Sequence, residues 1–334
     1  MTHGVRLAAH YLRHRFRRLH PFEVQAVLLN ACNLKCDYCR CPDMPTALMT
    51  TAQWRETLGQ LARAGCLRIK FQGGEPTLRK DFLAITAEAR RVGLITAVVT
   101  NGTKIAERPE LLEHLHEVVV SLDALTDINH DRYRGAGSHA AAMRTLALAR
   151  ERGRRAYVNM VVHRDTLAEL EPMLAFCEAH GYKLNAQAVM FGHEYQDRSA
   201  IALGLSDEQE RAMYRQLAAW KRAGRALMFA ASSYDRTARW ADYRVLAVPT
   251  PDGSPSSCMA GRYYIHLDAN GDVHPCGLHT GTFRAKNLLR DGFEAALLHA
   301  RRHDCGDCCL AYLNERKAVF GLHPRALLEV IRRA

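Results

Sequence analysis

A partial (β/α)6 barrel followed by a small cysteine-rich unit is the fold class that this sequence predicts. Three observations carry it. From residue 23 to about 190, six apolar runs alternate with segments of helical periodicity, the pattern of strand-helix units in a parallel sheet with right-handed crossovers. Six units fall short of a closed eight-stranded barrel. Nine of the eleven cysteines lie in two groups far apart, from Cys32 to Cys41 and from Cys258 to Cys309. Finally, 48% apolar and 24% charged residues describe an ordinary folded chain, which excludes disordered and fibrous classes.

The elements follow in order. Residues 1–22 hold five arginines and no acid, and Val5, Ala8, Leu12, Phe16 and Leu19 recur at helical spacing, so a basic amphipathic helix is expected there. Its charged face is either a solvated surface or a contact for anionic lipid, a peripheral membrane contact. Strands are expected over 23–30, 66–72, 94–100, 117–122, 155–163 and 183–190, with helices over 51–64, 79–92, 105–116, 138–152 and 166–180. The barrel is taken as 23–200. Residues 201–257 form a helical connector, with a helix opening at Ser206 ahead of Glu208 and Glu210. The turn-forming stretch from Thr250 to Ser257 leads into the C-terminal unit, 258–334.

Lys and Arg number 46 against 35 Asp and Glu, a net charge of +11 that suits anionic partners without choosing among them. Neither a signal core nor a long uncharged apolar run occurs, so a cytoplasmic location is expected. In a reducing compartment, clustered cysteines point to metal binding or catalysis rather than disulfides.

Cys32, Cys36 and Cys39 form C-x3-C-x2-C directly after the first expected strand, at the end of a parallel sheet where chemistry gathers. Three thiolates in eight residues can hold three irons of a cubane and leave the fourth open. The competing readings are a zinc site or an ordinary electron-transfer cluster completed by Cys41. With Tyr38 in its aromatic slot, this motif resembles the signature of the radical S-adenosylmethionine (SAM) superfamily. The resemblance continues through Gly73-Gly74-Glu75-Pro76 at the second strand, Thr100-Asn101-Gly102 at the third, and Ser121 to Asp123 at the fourth. His130-Asp131 and Arg134-Gly135 extend it. It implies a [4Fe-4S] cluster that binds SAM, a Glu75 carboxylate facing the methionine ammonium, and Ser121 and Arg134 near the carboxylate or ribose. Thr100 and Asn101 either contact the cofactor or supply turn chemistry. Gly73 and Gly74 let backbone approach a ligand, and Pro76 stiffens the turn.

In the second group, Cys258, Gly271 and Cys276 at C-x12-G-x4-C, followed by Cys305 and Cys308, resemble the C-terminal extension called SPASM, or its shorter form twitch. Asn270-Gly271 between short apolar segments marks a hairpin. The resemblance implies one auxiliary [4Fe-4S] cluster on Cys258, Cys276, Cys305 and Cys308; Cys309 is an alternative to Cys308, and a four-thiolate zinc site is the rival reading. Cys66 and Cys177 read as buried hydrophobes, although Cys177 or Cys309 could instead donate a hydrogen atom. His193 and Glu194, after the sixth strand, are candidates for proton relay or a solvated loop pair.

The resemblance implies reductive cleavage of SAM to a 5′-deoxyadenosyl radical, with flavodoxin or ferredoxin as an external electron donor. A saturated auxiliary cluster suits oxidation of a small-molecule substrate such as a sugar or cyclitol. The alternatives are maturation of a ribosomally made peptide, a lipid substrate, or non-catalytic nucleic-acid binding. The 31 residues before Cys32 are too few for a fused leader-binding domain, so a peptide substrate would call for a separate one.

Overall fold

The computed structural model describes residues 9–10, 19, 21–191, 198–251 and 258–321. Nearly all of the basic stretch 1–22, together with His193 and Glu194, lies outside the described residues. Strands β1 (Glu23–Leu29), β2 (Arg68–Gly73), β3 (Ile95–Thr100), β4 (Glu117–Ser121), β5 (Arg155–Val162) and β6 (Lys183–Ala188) lie side by side in chain order, each parallel to the next. Sequential order without reversal is the arrangement of a barrel wall, and β1 and β6 do not pair, so the wall is open.

The crossovers are helices α1 (Thr51–Arg63), α2 (Phe82–Arg91), α3 (Thr103–Glu107), α4 (Asp127–Arg134), α5 (Ser138–Glu151) and α6 (Leu170–His180). A capping box of Thr50 and Gln53 starts α1, and Trp54 then meets Phe71 of β2 and, through it, Phe82 of α2 in edge-on contacts at 6.4 Å. The helix expected over 105–116 is instead α3 and a separate 3-10 turn, Pro109–Leu112. Pro109 lacks an amide hydrogen and cannot continue α3.

Helices α7 (Asp207–Arg222) and α8 (Ala231–Ala238) follow. Ser206 caps α7 by a box with Gln209. Among the described residues no helix is long and apolar enough to cross a membrane.

The C-terminal segment does not stand apart. It carries β8 (Tyr264–Leu267), β9 (Asp272–His274) and β10 (Lys286–Asn287), and β8 pairs in parallel with β1, so the sheet grows to nine strands in the order β10-β9-β8-β1-β2-β3-β4-β5-β6. Ile265 and Leu267 join the same apolar core as Val24 and Leu28. A second, two-stranded sheet pairs β7 (Ala247–Val248) with β11 (Asp307–Cys308). Helices α9 (Phe293–Ala300) and α10 (Ala311–Phe320) complete the described chain.

The two faces of the wall differ. Its outer face packs apolar side chains on the helices, whereas Gln25, Lys70, Gln72, Asn159, Asn185 and Gln187 line an inner cavity. Lys70 and Gln72 on β2, and Asn185 and Gln187 on β6, stand two positions apart, the period that sends side chains to one face. At the opposite end the strand starts carry an ion network: Arg68 and Arg155 both reach Glu117, and Arg316 of α10 donates to Glu23 at 2.5 Å. Burial alone would raise the Glu23 pKa, but Arg316, Arg68 and Lys70 outweigh it and hold the carboxyl at about 2.

Glu23→Gln leaves Arg316 buried without its counter-charge, a loss of about 3 kcal/mol expected for a broken buried pair, to be read from urea unfolding. Because the folded pKa lies below the ordinary 4.5, this contribution is present above pH 4.5 and disappears as pH falls toward 2. The gap between wild type and variant should therefore close on acidification.

Candidate functional site

The C-terminal ends of β1 to β6 open on a cavity of about 370 Å³, within the size range of small-molecule sites. Cys32, Cys36, Cys39, Tyr38, Gly73, Gly74, Thr100, Asn101, Ser121 and Arg134 all line it, as does Cys41. Glu75 and Pro76 do not.

Their absence has a physical reason. Glu75 has no exposed surface, and its carboxylate takes hydrogen bonds from the Thr77 amide at 3.1 Å, the Thr77 hydroxyl, the Thr100 hydroxyl at 2.9 Å and the Asn101 amide at 2.7 Å. Burial raises its pKa and these bonds oppose the rise. In this structure Glu75 clamps the end of β2 to the end of β3. Pro76 opens the buried 3-10 turn behind it.

The glycines serve backbone as well. A Cβ on Gly73 would fall 2.0 Å from the Leu29 carbonyl oxygen, and one on Gly74 would fall 2.2 Å from that of Asn30. Removing both lets the turn after β2 press against the chain leading to Cys32, where Gly74 and Glu75 donate to Leu29 and Ala31 at 2.9 Å. Asn101 continues the clamp. Its amide donates to Asn33 at 3.0 Å and approaches the Cys32 sulfur at 3.8 Å, while its oxygen accepts from the Thr103 amide and hydroxyl.

On the far side of the loop, Asp123 organises Arg134 and Tyr38. Arg134 grips the carboxylate with two donors, at 2.6 and 3.1 Å, and the Tyr38 hydroxyl donates at 2.5 Å. The Val161 amide adds a fourth bond at 2.8 Å. Burial would raise Asp123, but Arg134 outweighs it and holds the carboxyl below its ordinary value. Two donors of the Arg134 fork are held by Asp123, and Arg134 also lines the cavity.

Burial lifts all three loop thiols, Cys36 to about 12, while the Arg134 charge pulls Cys36 and Cys39 the other way. Three soft donors on one loop, resisting ionisation until a cation arrives and open to a cavity on one side, suit an iron-sulfur cluster with one iron left for a ligand.

The second group lies behind the cavity wall at Gly277, Leu278 and Leu310. Cys276, Cys305 and Cys308 are all raised, Cys276 and Cys308 chiefly by burial and Cys305 chiefly by its hydrogen bond with Cys258; the charges of Cys258, of one another and, for Cys308, of Cys309 add to the rise. Cys258 is the exception, lowered to about 7 chiefly by a hydrogen bond from Cys305. Cys309 is raised to about 12 by burial and then by Glu210 of α7. Cys66 and Cys177 are buried in the core and do not line the cavity.

Sequence comparison agrees with this geometry. The profile of the Radical SAM superfamily matches residues 27–177. The PqqA peptide cyclase of Xanthomonas euvesicatoria pv. vesicatoria (strain 85-10) is 32% identical over 295 residues, covering 80% of this chain and 73% of the relative. The chain belongs to the radical SAM superfamily. The PqqA peptide cyclase of Gluconobacter oxydans (strain 621H) is 27% identical over 269 residues, 77% of this chain and 70% of the relative. Among solved structures, Streptococcus suis SuiB bound to precursor peptide SuiA superposes with a TM-score of 0.63 at 18% identity, over 94% of this chain and 76% of that one. Native anSMEcpe with bound AdoMet gives 0.63 at 14% identity, over 93% and 100%. These structures share the fold, including the C-terminal extension.

The superfamily's cofactors are SAM and a [4Fe-4S] cluster, and SPASM-type members carry auxiliary clusters. Sequence reasoning missed the amide-rich wall of the radical SAM barrel, although polar residues at alternate positions of otherwise apolar strands could have shown it. It also passed over Asp123 as a positioning residue.

Asp123→Asn should cost about 3 to 5 kcal/mol in unfolding of the iron-free chain, since Arg134 would stay buried and unpaired. The Asp123 contribution is present above pH 3.8 and fades as pH falls further, so the deficit should shrink in acid. Glu75→Gln replaces an acceptor that has four donors around it, with an expected loss of about 1 to 3 kcal/mol and a lower Tm. A Glu75→Gln chain with unchanged Tm would remove the clamp from this account.

Proposed function

We propose that this chain is a peptide-modifying radical SAM enzyme, acting on a carbon-hydrogen bond of a ribosomally made peptide. The observation that carries the reading is the 32% identity to a PqqA peptide cyclase across most of both chains. The fold likeness to SuiB with its precursor peptide is in keeping with it. These relatives favour a peptide over the sugar or cyclitol expected from the ligand count of the auxiliary centre.

Cys32, Cys36 and Cys39 would hold the cluster, and Gly73, Gly74, Thr100, Asn101, Ser121 and Arg134 would surround SAM. Bound there, the pair supplies a 5′-deoxyadenosyl radical that takes hydrogen from an unactivated carbon. The chain's own task is placement and exclusion of water. Gln25, Gln72, Asn159, Asn185 and Gln187 offer paired donors and acceptors that match peptide amides, and the Asn185 amide already donates to Asn159 at 2.7 Å. Lys70 faces the same cavity, its pKa lowered by burial to about 8, and suits a carboxylate of the substrate. Cys258, Cys276, Cys305 and Cys308 would hold the auxiliary cluster within reach of an electron from the cavity, and an external flavodoxin or ferredoxin would reduce the first.

Anaerobically reconstituted protein should hold about eight irons as two cubanes and form 5′-deoxyadenosine from SAM under a strong reductant. Replacing Cys32, Cys36 and Cys39 by Ala should halve the iron and abolish that product. Mass spectrometry of synthetic peptides encoded beside the gene should show loss of two hydrogen atoms in one of them. Turnover of a sugar or cyclitol, with every such peptide unaltered, would overturn the peptide reading.

A further inference from the structure

Two histidines that played no part in the reading of the sequence converge on one thiol of the second cysteine group. His279 ends the 3-10 turn that follows Cys276, and His303 precedes Cys305 by two residues. One ring nitrogen of each and the Cys305 sulfur all lie within 4.8 Å of one another, and the two rings stand 5.7 Å apart. A single tetrahedral ion, with metal-sulfur bonds near 2.3 Å and metal-nitrogen bonds near 2.0 Å, sets its ligand atoms roughly 3.3 to 3.8 Å apart. The trio therefore needs only a small contraction to grip one ion, whereas a cubane distributes its ligands over different irons.

The protonation of His303 is legible from its partner. Nε2 lies 3.0 Å from the Ala260 carbonyl oxygen, which can only accept, so Nε2 carries the hydrogen and Nδ1 the lone pair. That Nδ1 is buried and has no hydrogen-bond partner among the described residues. An imidazole whose far N–H is held by a carbonyl, with its other nitrogen bare, is oriented as metal-binding histidines are.

We infer that His279, His303 and Cys305 form a mononuclear site for a divalent transition metal of the zinc class. Two imidazoles and a thiolate are borderline-soft donors, which excludes magnesium and calcium as natural occupants. Binding releases the Cys305 thiol proton. Because Cys305 also belongs to the four-cysteine centre, the two occupancies exclude each other: the ion occupies chains that lack the auxiliary cluster, joins the turn after β9 to the segment before β11, and is displaced when the cluster is built. This holds whatever the substrate.

The test uses the full-length chain, prepared iron-free under anaerobic conditions, with Cys32, Cys36 and Cys39 replaced by Ala to silence the first loop. Zinc is titrated against a chromophoric chelator, and the bound ion is examined by X-ray absorption. The expected result is one tightly held zinc with two nitrogen ligands and at least one sulfur. His279→Ala and His303→Ala should each weaken binding at least tenfold yet leave iron uptake into the auxiliary centre intact. Reconstitution of wild-type protein should release the zinc in step with cluster assembly. A shell of four sulfurs, or zinc and the auxiliary cluster retained together, would overturn the proposal. So would loss of the cluster in a folded histidine variant, which would make the histidine a cluster ligand. The absorption spectrum of the chain that keeps both histidines decides the matter even if a histidine variant fails to fold.

Discussion

A carboxylate sealed from water has to find hydrogen-bond donors inside the protein, and Glu75 finds them both in the turn that follows β2 and at the end of β3. Its bonds to Thr77, Thr100 and Asn101 join the end of β2 to the end of β3. Through Asn101, the same constraint reaches Asn33 and Cys32. Gly73 and Gly74 complete it from the other side, because only residues without Cβ let that turn lie against Leu29 and Asn30. Strand-end hydrogen bonds and close backbone packing thus reach the cysteine loop.

Asp123 plays the matching part across the cavity. It collects Arg134, Tyr38 and the amide of Val161, and the fixed guanidinium in turn acts on Cys36 and Cys39. A buried ion pair of this kind contributes little net stability relative to apolar packing. Its value here is positional, since it keeps a positive charge beside thiols that must ionise to bind a metal.

The C-terminal segment is part of the same body as the barrel. By pairing β8 with β1 it carries Cys276 and the turn after it to the cavity's rim, so that Gly277 and Leu278 line the cavity while the cysteine itself stays behind. Pairing of β11 with β7 positions Cys308, and Cys309, the residue after the strand, feels the charge of Glu210 of α7.

The six strands, their order of motifs and the two cysteine groups were legible in the sequence because each rests on local signals: apolar period, turn residues and cysteine spacing. Helix limits were less so, as the break at Pro109 shows, although proline offered the cue. The internal partners of Glu75 were not legible, because a carboxylate after two glycines looks the same whatever donors the fold brings to it. Arg134 is similar: its fork is complementary to any carboxylate, and only the fold puts Asp123 in that place. The approach of His279 and His303 to Cys305 also belongs to tertiary structure alone, since 23 residues lie between the two histidines and no spacing rule joins them. Sequence determined which residues could do chemistry; packing decided which of them face the cavity and which are spent on holding the others there.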